Sequence, residues 1–180
     1  MHKELNRRFA RGAVAVIGLT VLATSVLAAV VAAGGGRSLP ADVQAVRGQL
    51  ARYNSVDNAL ADGYVPVSPC ESSPAGAMGI HYAKMSLFGP GIDPAHPEVL
   101  LYVPRKDGSL EFVAAEYFQV DGDQNLGTNS DKPSIFGQPF DGPMLGHNPQ
   151  MPIHYDLHVW LAKHNPSGLF SQWNPAISCP

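Results

Sequence analysis

The sequence predicts an α+β domain in which N-terminal helices pack on a mostly antiparallel sheet that can curl into a partial barrel. Three observations lead to this prediction. Apolar residues recur at three- and four-residue spacing soon after residue 36, which is typical of amphipathic helices. From Tyr64 onward, short runs rich in β-forming residues are bounded by glycine and proline. The pair Asp107-Gly108 lies between two such runs and indicates a hairpin, which joins antiparallel strands.

Residues 1–36 are predicted to be an export signal. Basic residues precede a stretch, from Ala13 to Ala33, that contains no charged side chain. A stretch of about 20 apolar residues is long enough to span a bilayer, whereas Val31-Ala32-Ala33 is typical of a signal-peptide cleavage site. We expect either a removed signal peptide or a retained membrane anchor. Basic residues before the segment keep the N-terminus inside, so the rest is expected to be secreted or anchored on the outer side of the cytoplasmic membrane.

Residues 37–180 have the length of a single domain, and we expect one exported α+β domain there. Cys70 and Cys179 are the only cysteines of the chain. In an oxidising compartment a disulfide between them is the leading prediction. A metal site that uses both thiolates is less favoured, because neither cysteine has a second cysteine nearby in sequence to form a chelating pair.

The charge of the chain argues against a nucleic-acid partner. The formal net charge is −3, and Arg105 and Lys106 are the only adjacent basic residues after residue 37. Binding to phosphates needs a clustered basic surface, which this pattern lacks. Contact with a membrane is expected only through the N-terminal segment, if that segment is retained.

Two helices are expected before the strands. Ser38 can cap the first helix, and a second short helix is expected to begin at Ser55 and end at Gly63. The apolar face of the first helix consists of Val43, Val46, Leu50 and Tyr53.

Three segments are predicted to be strands: 78–82, 99–103 and 110–120. The third has apolar residues on both faces, so it is expected to be central and covered on both sides. Residues 119–152 are rich in proline and glycine and predict a long irregular connection that could wall a pocket. If side chains alternate strictly along the third strand, four of them share one face: Phe112, Ala114, Glu116 and Phe118.

The segment from His154 to Trp160 carries the clearest chemical pattern. Its two histidines, His154 and His158, are four residues apart and share one face in either a strand or a helix. In a strand, Asp156 shares that face as well. Imidazole is the commonest metal ligand and the usual general base near neutral pH, so this segment is a candidate site.

His81 and Glu116 are the candidates to complete a metal site with these histidines. A carboxylate in a covered central strand must be paired, protonated or coordinated. We therefore predict a site formed by His81, Glu116, His154 and His158, with His147 as a further candidate ligand. Asp156 would orient one imidazole through its other ring nitrogen.

The identity of the metal is left open between zinc and copper. Imidazole with carboxylate suits zinc, whereas thioether with imidazole suits copper. Three pairs of a methionine and a histidine at three-residue spacing are the observation in favour of copper. They are Met78 with His81, Met144 with His147 and Met151 with His154. His96 and His164 lie beside prolines in predicted loops and are expected to be solvated.

Several other classes of site are disfavoured. Residues 121–125 begin like a calcium loop, but Leu126 stands where that loop needs glycine, and Lys132 stands where it needs glutamate. The sequence lacks the nucleophile elbow of hydrolases, a phosphate-binding glycine loop and the H-E-x-x-H motif of metalloproteases. A cupin-like arrangement would need a His-x-His pair, which is also missing.

Two alternatives to a metal site remain open. One is a metal-free small-molecule-binding domain or acid/base enzyme, in which Glu116, His154 and Asp156 line a pocket roofed by the long connection. The other is a structural envelope protein whose histidines only form hydrogen bonds in the core.

Four segments together resemble a family of uncharacterised exported bacterial proteins. They are Met78-Gly79-Ile80-His81-Tyr82, Val99 to Tyr102, Glu116-Tyr117-Phe118 and His154 to Trp160. The resemblance covers most of the exported domain, although Ala77 stands where the family pattern has glycine. It implies an exported protein and assigns no catalytic residue, since no activity is established for the family.

Overall fold

The structure, a computed structural model of the 180-residue chain, describes residues 39–147 and 149–180. The predicted export signal at 1–36 and the predicted cap at Ser38 lie outside the described residues. The described part begins with helix α1 (Ala41–Leu50), a 3-10 helix (Ala51–Asn54) and helix α2 (Val56–Ala61). Within 39–147 and 149–180, no helix has the length and apolar character needed to cross a membrane.

The helices are followed by a six-stranded antiparallel sheet that curls into a half-barrel, which confirms the predicted α+β fold. Its strand order is β1-β2-β3-β4-β8-β7, and β5 and β6 form a separate two-stranded sheet. The strands are β1 (Val65–Ser73), β2 (Gly76–Ala83), β3 (Val99–Pro104), β4 (Leu110–Val120), β5 (Ser134–Ile135), β6 (Gln138–Pro139), β7 (Asp141–Met144) and β8 (His154–Val159). A 3-10 turn (Met85–Leu87) follows β2.

Helix α1 covers one face of this sheet. Pro40 precedes the helix, Asp42 lies in its first turn and Arg47 in its last, which is the charge order that the helix dipole favours. Val43, Val46 and Leu50 are buried in one apolar cluster with the side chains of that sheet face. The predicted apolar face of the first helix is therefore confirmed.

Tyrosines tie the helices and loops to the sheet. The buried hydroxyl of Tyr102 in β3 donates a hydrogen bond to the carbonyl oxygen of Tyr53 at 2.7 Å. Tyr64 donates in the same way to Pro97, and Tyr117 in β4 donates to Pro94, each at 2.7 Å. Because a buried hydroxyl needs a partner, these bonds satisfy the polar ends of large core side chains.

A β-bulge in β4 changes which side chains share a face. Leu101 of β3 pairs with Ala114, but the next residue, Tyr102, pairs with Phe112, so Val113 is an extra residue on β4. Phe112 accordingly joins the core under the helices, while Ala114 belongs to a second cluster. The prediction that Phe112 shares the face of Glu116 is wrong, because strict alternation ignores the bulge.

The connection between β4 and β8 is more regular than predicted. It contains β5 and β6 as a short hairpin, and it contains β7, which pairs with the outer edge of β8. The prediction of an irregular connection is wrong for these residues. The strands of this hairpin are two residues long and β7 contains Gly142 and Pro143, so neither gives a periodic signal in the sequence.

Gly79 allows β2 and β3 to approach closely just before His81. Its φ angle is +102°, and a Cβ atom at this position would lie 2.5 Å from the carbonyl oxygen of Tyr102. Only glycine adopts this conformation without strain and leaves room for the neighbouring backbone.

A disulfide between Cys70 and Cys179 confirms the predicted bridge, with the Cα atoms 5.7 Å apart. It joins β1 to the C-terminal segment. The same segment is held at Asn174, whose backbone exchanges hydrogen bonds with that of Ala77 at 3.0 and 3.1 Å. Such a disulfide is typical of proteins in oxidising, extracellular compartments.

We expect the double substitution Cys70→Ala with Cys179→Ala to lower the free energy of unfolding substantially. The two cysteines are 109 positions apart, and removing a crosslink over a loop of that order is worth up to about 4.7 kcal/mol through the entropy of the unfolded chain. Denaturant unfolding of the oxidised wild type and of the variant measures the loss. Reduction should destabilise the wild type similarly and leave the variant unchanged; equal stabilities of oxidised wild type and variant would contradict the expectation.

Candidate metal centre

The face of the sheet opposite the helices carries a row of polar side chains. In the β4–β8 pair, Glu116 lies directly opposite His158 and Phe118 directly opposite Asp156. Residues directly opposite in an antiparallel pair project to the same face. Glu116, Asp156 and His158 are therefore neighbours, and each is at most 5% exposed.

His81 reaches this group from β2, three strands away from β8. In a flat sheet, three strand spacings would separate their backbones by about 14 Å. The rings of His81 and His158 are nevertheless only 6.3 Å apart, centroid to centroid, and lie at 89° to each other. The curl of the sheet and the length of the two side chains together close the gap.

Three of the four predicted metal ligands converge in this way. The Nε2 atom of His81 lies 3.4 Å from Oε2 of Glu116, and Nε2 of His158 lies 3.9 Å from the same oxygen. Ligand atoms of His81, Glu116 and His158 all lie within 4.8 Å of one another. This buried group could hold a metal ion.

Ser68 in β1 holds both the backbone and the ring of His81 through its hydroxyl group. Its hydroxyl donates to the carbonyl oxygen of Pro69 at 2.7 Å and accepts the backbone N–H of His81 at 3.1 Å. The same oxygen lies 2.9 Å from Nδ1 of His81. The hydroxyl has one proton; when that proton goes to Pro69, Nδ1 is the donor and Nε2 is left with a lone pair on the side of Glu116. No pattern in the sequence indicates this contact of Ser68.

Several polar atoms at the centre lack hydrogen-bond partners among the described residues. They include Oε2 of Glu116, both carboxyl oxygens of Asp156 and both ring nitrogens of His158. Asp156 Oδ1 and His158 Nδ1 face each other at 4.0 Å, which is too far for a direct hydrogen bond. An unsatisfied buried polar atom costs about 1–3 kcal/mol, so a cluster of them calls for a missing partner. The predicted orienting role of Asp156 therefore remains a prediction.

Burial raises the pKa of both carboxyl groups at the centre. For Glu116 the pKa is raised well above its usual range, first by burial and then by the nearby charges of Asp156 and Glu98. For Asp156 the pKa is raised by burial and by Asp141 on the neighbouring strand. Without a cation, both groups favour their neutral form.

Burial has the opposite effect on the histidines. It lowers the pKa of His81 to about 4 and that of His158 to about 3, with smaller contributions from other histidines nearby. Both imidazoles are therefore neutral near pH 7. A neutral imidazole is the form that binds a metal.

His154 shares the face of His158 but is not part of the converging group. A strand rises about 3.3 Å per residue, so two residues four positions apart are separated by about 13 Å along β8. The ring of His154 instead stacks on Phe118 at 4.6 Å, and its Nδ1 donates to the carbonyl oxygen of Pro152 at 3.0 Å. The shared face did not bring the two histidines to one point.

The remaining histidines lie at or beyond the edge of the centre. His147 is exposed, and its ring lies 5.6 Å from that of His154, almost perpendicular to it. His147 is not among the three residues that converge. His96 and His164 are exposed, as predicted, and His96 pairs with Asp93 at 2.8 Å.

Glu98 is a buried acidic residue that the sequence analysis did not single out. It is 2% exposed, and its Oε2 accepts the backbone N–H of Phe118 at 3.1 Å. Burial is the main cause that raises the pKa of Glu98, to about 7. Its position directly before the apolar run 99–103 is the sequence feature that could have identified Glu98 as a candidate buried acid.

A cleft of about 910 Å³ lies between α1 and the connection that follows β4. The connection does wall a pocket, with Asp131, Ile135 and Phe136 on one side and Val46 on the other. Glu116 and the histidines of the polar centre do not line it. The cleft and the polar centre are therefore separate features of the domain.

Comparison with known proteins gives no match from which a function could be inferred. No protein-family model matches it, and no curated protein or solved structure gives a significant match.

Proposed function

We propose that the domain is a metal-binding protein that holds a transition-metal ion, zinc or copper, between His81, Glu116 and His158. The observation that carries the proposal is the pair of imidazole nitrogens that face one buried carboxyl oxygen at 3.4 and 3.9 Å.

These distances suit a metal ion better than a shared proton. An O–H···N hydrogen bond brings its two heavy atoms to about 3 Å or closer. Ligand atoms at about 2.0–2.1 Å from a tetrahedral ion are instead about 3.3 Å apart. The 3.4 Å between His81 Nε2 and Glu116 Oε2 is close to the second value, and the 3.9 Å from His158 Nε2 to the same oxygen is longer than both.

The charges at the centre also favour a cation. Among the described residues, the only basic side chains within 4 Å of the Glu116 carboxyl group are His81 and His158, and those near Asp156 are His154 and His158. These imidazoles have lowered pKa values and are neutral near pH 7, so they supply no positive charge. A buried carboxylate without a positive partner is costly, and a metal ion supplies that partner.

The donor atoms favour zinc or Cu(II) over Cu(I). Two imidazoles and a carboxylate are typical zinc ligands, whereas Cu(I) prefers the sulfur of methionine or cysteine. No methionine sulfur is needed to complete the group. Three protein ligands leave one position of a tetrahedral ion for water or another small ligand.

We also propose that the chain belongs to the exported bacterial family whose motifs it carries, and that the domain works outside the cytoplasmic membrane. Two observations support this. His81, Glu116 and His158 each fall within one of the motif segments, and the disulfide suits an oxidising compartment.

Removing one ligand should weaken zinc binding by more than about 100-fold. Substitution of a residue that only orients a ligand typically lowers metal affinity 10- to 100-fold, and loss of the ligand itself should lower it further. Suitable variants are His81→Ala and Glu116→Gln, the second of which keeps the size of the side chain. Competition titration with a chromophoric chelator, on untagged protein, measures the affinity.

His164→Ala is the matched control, since His164 is exposed and lies outside the group. Its affinity should equal that of the wild type. A wild type that binds no zinc or Cu(II) in stoichiometric amount, or ligand variants that bind as tightly as the control, would overturn the proposal.

Ser68→Ala should weaken zinc binding about 10-fold without removing a ligand. Ser68 Oγ holds Nδ1 of His81 at 2.9 Å and so keeps Nε2 free for the metal; loss of such an orienting partner typically costs 10- to 100-fold in affinity. Ser68→Thr, which keeps the hydroxyl, should bind nearly as tightly as the wild type. Equal affinity of Ser68→Ala and the wild type would show that the hydroxyl does not orient the ring.

Zinc binding should release protons and become tighter as the pH rises. The raised pKa of Glu116 means that the metal-free protein holds a proton there, and the metal must displace it. His81 and His158, with pKa values of about 4 and about 3, are already unprotonated above pH 5 and release none. Calorimetric titrations in buffers of different ionisation enthalpy count the protons released.

Glu116→Gln should release about one proton fewer per zinc bound than the wild type, because it removes the displaced proton. Zinc binding to the wild type without proton release, or an equal number of protons in both proteins, would contradict the assignment of the proton to Glu116.

A further inference from the structure

We propose a second metal position beside the first, held by Nε2 of His154 and Oδ2 of Asp156 and completed from the exposed side by His147. It extends the proposed function from one ion to two. The chemical class of the ligand is a divalent cation of the zinc or Cu(II) type, since the donors are nitrogen and oxygen.

The orientation of His154 leaves one ring nitrogen available for a metal. The residue is fully buried, and Nδ1 donates to the carbonyl oxygen of Pro152 at 3.0 Å. Nε2 therefore carries a lone pair. Stacking on Phe118, with 20° between the ring planes, fixes the direction of that lone pair. Metal-binding histidines commonly donate their other ring N–H to a backbone carbonyl in this way.

Asp156 Oδ2 faces this nitrogen at a distance of 3.9 Å. Neither atom has a hydrogen-bond partner among the described residues, and Asp156 is only 1% exposed. At 3.9 Å the two atoms are too far apart to share a hydrogen bond, and a cation between them would satisfy both. Metal bonds of about 2.0–2.2 Å to nitrogen and to oxygen can bridge atoms that are up to about 4.2 Å apart, so one ion fits this gap.

The carboxyl groups around the two positions are numerous enough for two cations. Asp156 lies opposite Asp141 of β7 in the sheet register, and Glu98 lies on the other side, where its charge acts on Glu116. Within the described residues, none of these four carboxyl groups forms an ion pair with lysine or arginine. Asp141 is exposed and Glu98 accepts the backbone N–H of Phe118, so Glu116 and Asp156 are the two that keep buried oxygens without a hydrogen-bond partner among the described residues, one group for each position.

His147 gives the second position a ligand at the surface. It lies in the turn between β7 and β8, is exposed, and has its ring 5.6 Å from that of His154. The second position thus has one exposed ligand, whereas the most exposed ligand of the first, His81, has only 15% of its side chain exposed. We expect it to bind more weakly and to exchange its ion more readily.

Asp156 links the two positions. Its Oδ1 faces Nδ1 of His158, which belongs to the first position, and its Oδ2 faces Nε2 of His154. A carboxylate placed between two imidazoles in this way lets one ion affect the affinity for the other.

Zinc titration of the metal-free, disulfide-bonded protein against a chromophoric chelator tests the proposal. The wild type should bind two equivalents. His154→Asn should bind only one, at the affinity of the tighter wild-type site, because its amide can still donate to Pro152 while Nε2 is lost. His147→Ala, at an exposed position, should weaken only the second equivalent, and His164→Ala should bind two like the wild type.

The outcomes separate this proposal from the proposed function. One equivalent in the wild type that is lost in His81→Ala and kept in His154→Asn would leave the first site standing and overturn the second. Two equivalents in both His154→Asn and His147→Ala would overturn the second site as well. If zinc fails to bind the wild type, or if the tighter equivalent survives His81→Ala, the first site is wrong. Circular dichroism checks that His154→Asn is folded, and His147→Ala decides the matter if it is not.

Discussion

The antiparallel register of β4 against β8 is the constraint on which the polar centre depends. It sets Glu116 directly opposite His158 and Phe118 directly opposite Asp156. A slip of β8 by one residue would turn His158 and Asp156 to the other face, among the core residues that pack under the helices. Because apolar residues of β4 and β8 are buried on that other face, hydrophobic packing fixes the register, and the register in turn fixes the polar neighbours.

The two faces of the sheet satisfy their polar groups differently. On the helix side, the hydroxyls of Tyr64, Tyr102 and Tyr117 all donate to backbone carbonyls. On the opposite side, buried atoms of Glu116 and Asp156 have no hydrogen-bond partner among the described residues. Native proteins pair nearly all buried polar groups, so this contrast within one sheet points to a ligand and argues against a purely structural role.

The disulfide and the polar centre are connected through β1. Cys70 fastens this strand to the C-terminal segment, and Ser68, two residues earlier, contacts Nδ1 of His81 through its hydroxyl oxygen. The irregular pairing of β1 with β2 lies between Pro66 and Cys70, which is where the Ser68 hydroxyl turns toward the ring. The covalent link thus restrains an edge strand whose side chain orients a proposed metal ligand.

The sequence by itself determined the apolar face of α1, the strands around the Asp107-Gly108 hairpin and the disulfide, and it predicted Glu116, His81 and His158 as members of one site together with His154. These follow from local periodicity, turn chemistry and the high cost of a buried carboxylate. Only the tertiary structure decided the bulge at Val113, the role of Ser68 and the separation of His154 from His158. Those depend on pairing between distant strands and on the rise along β8, because periodicity gives the face on which a side chain lies and leaves its distance from another side chain undetermined.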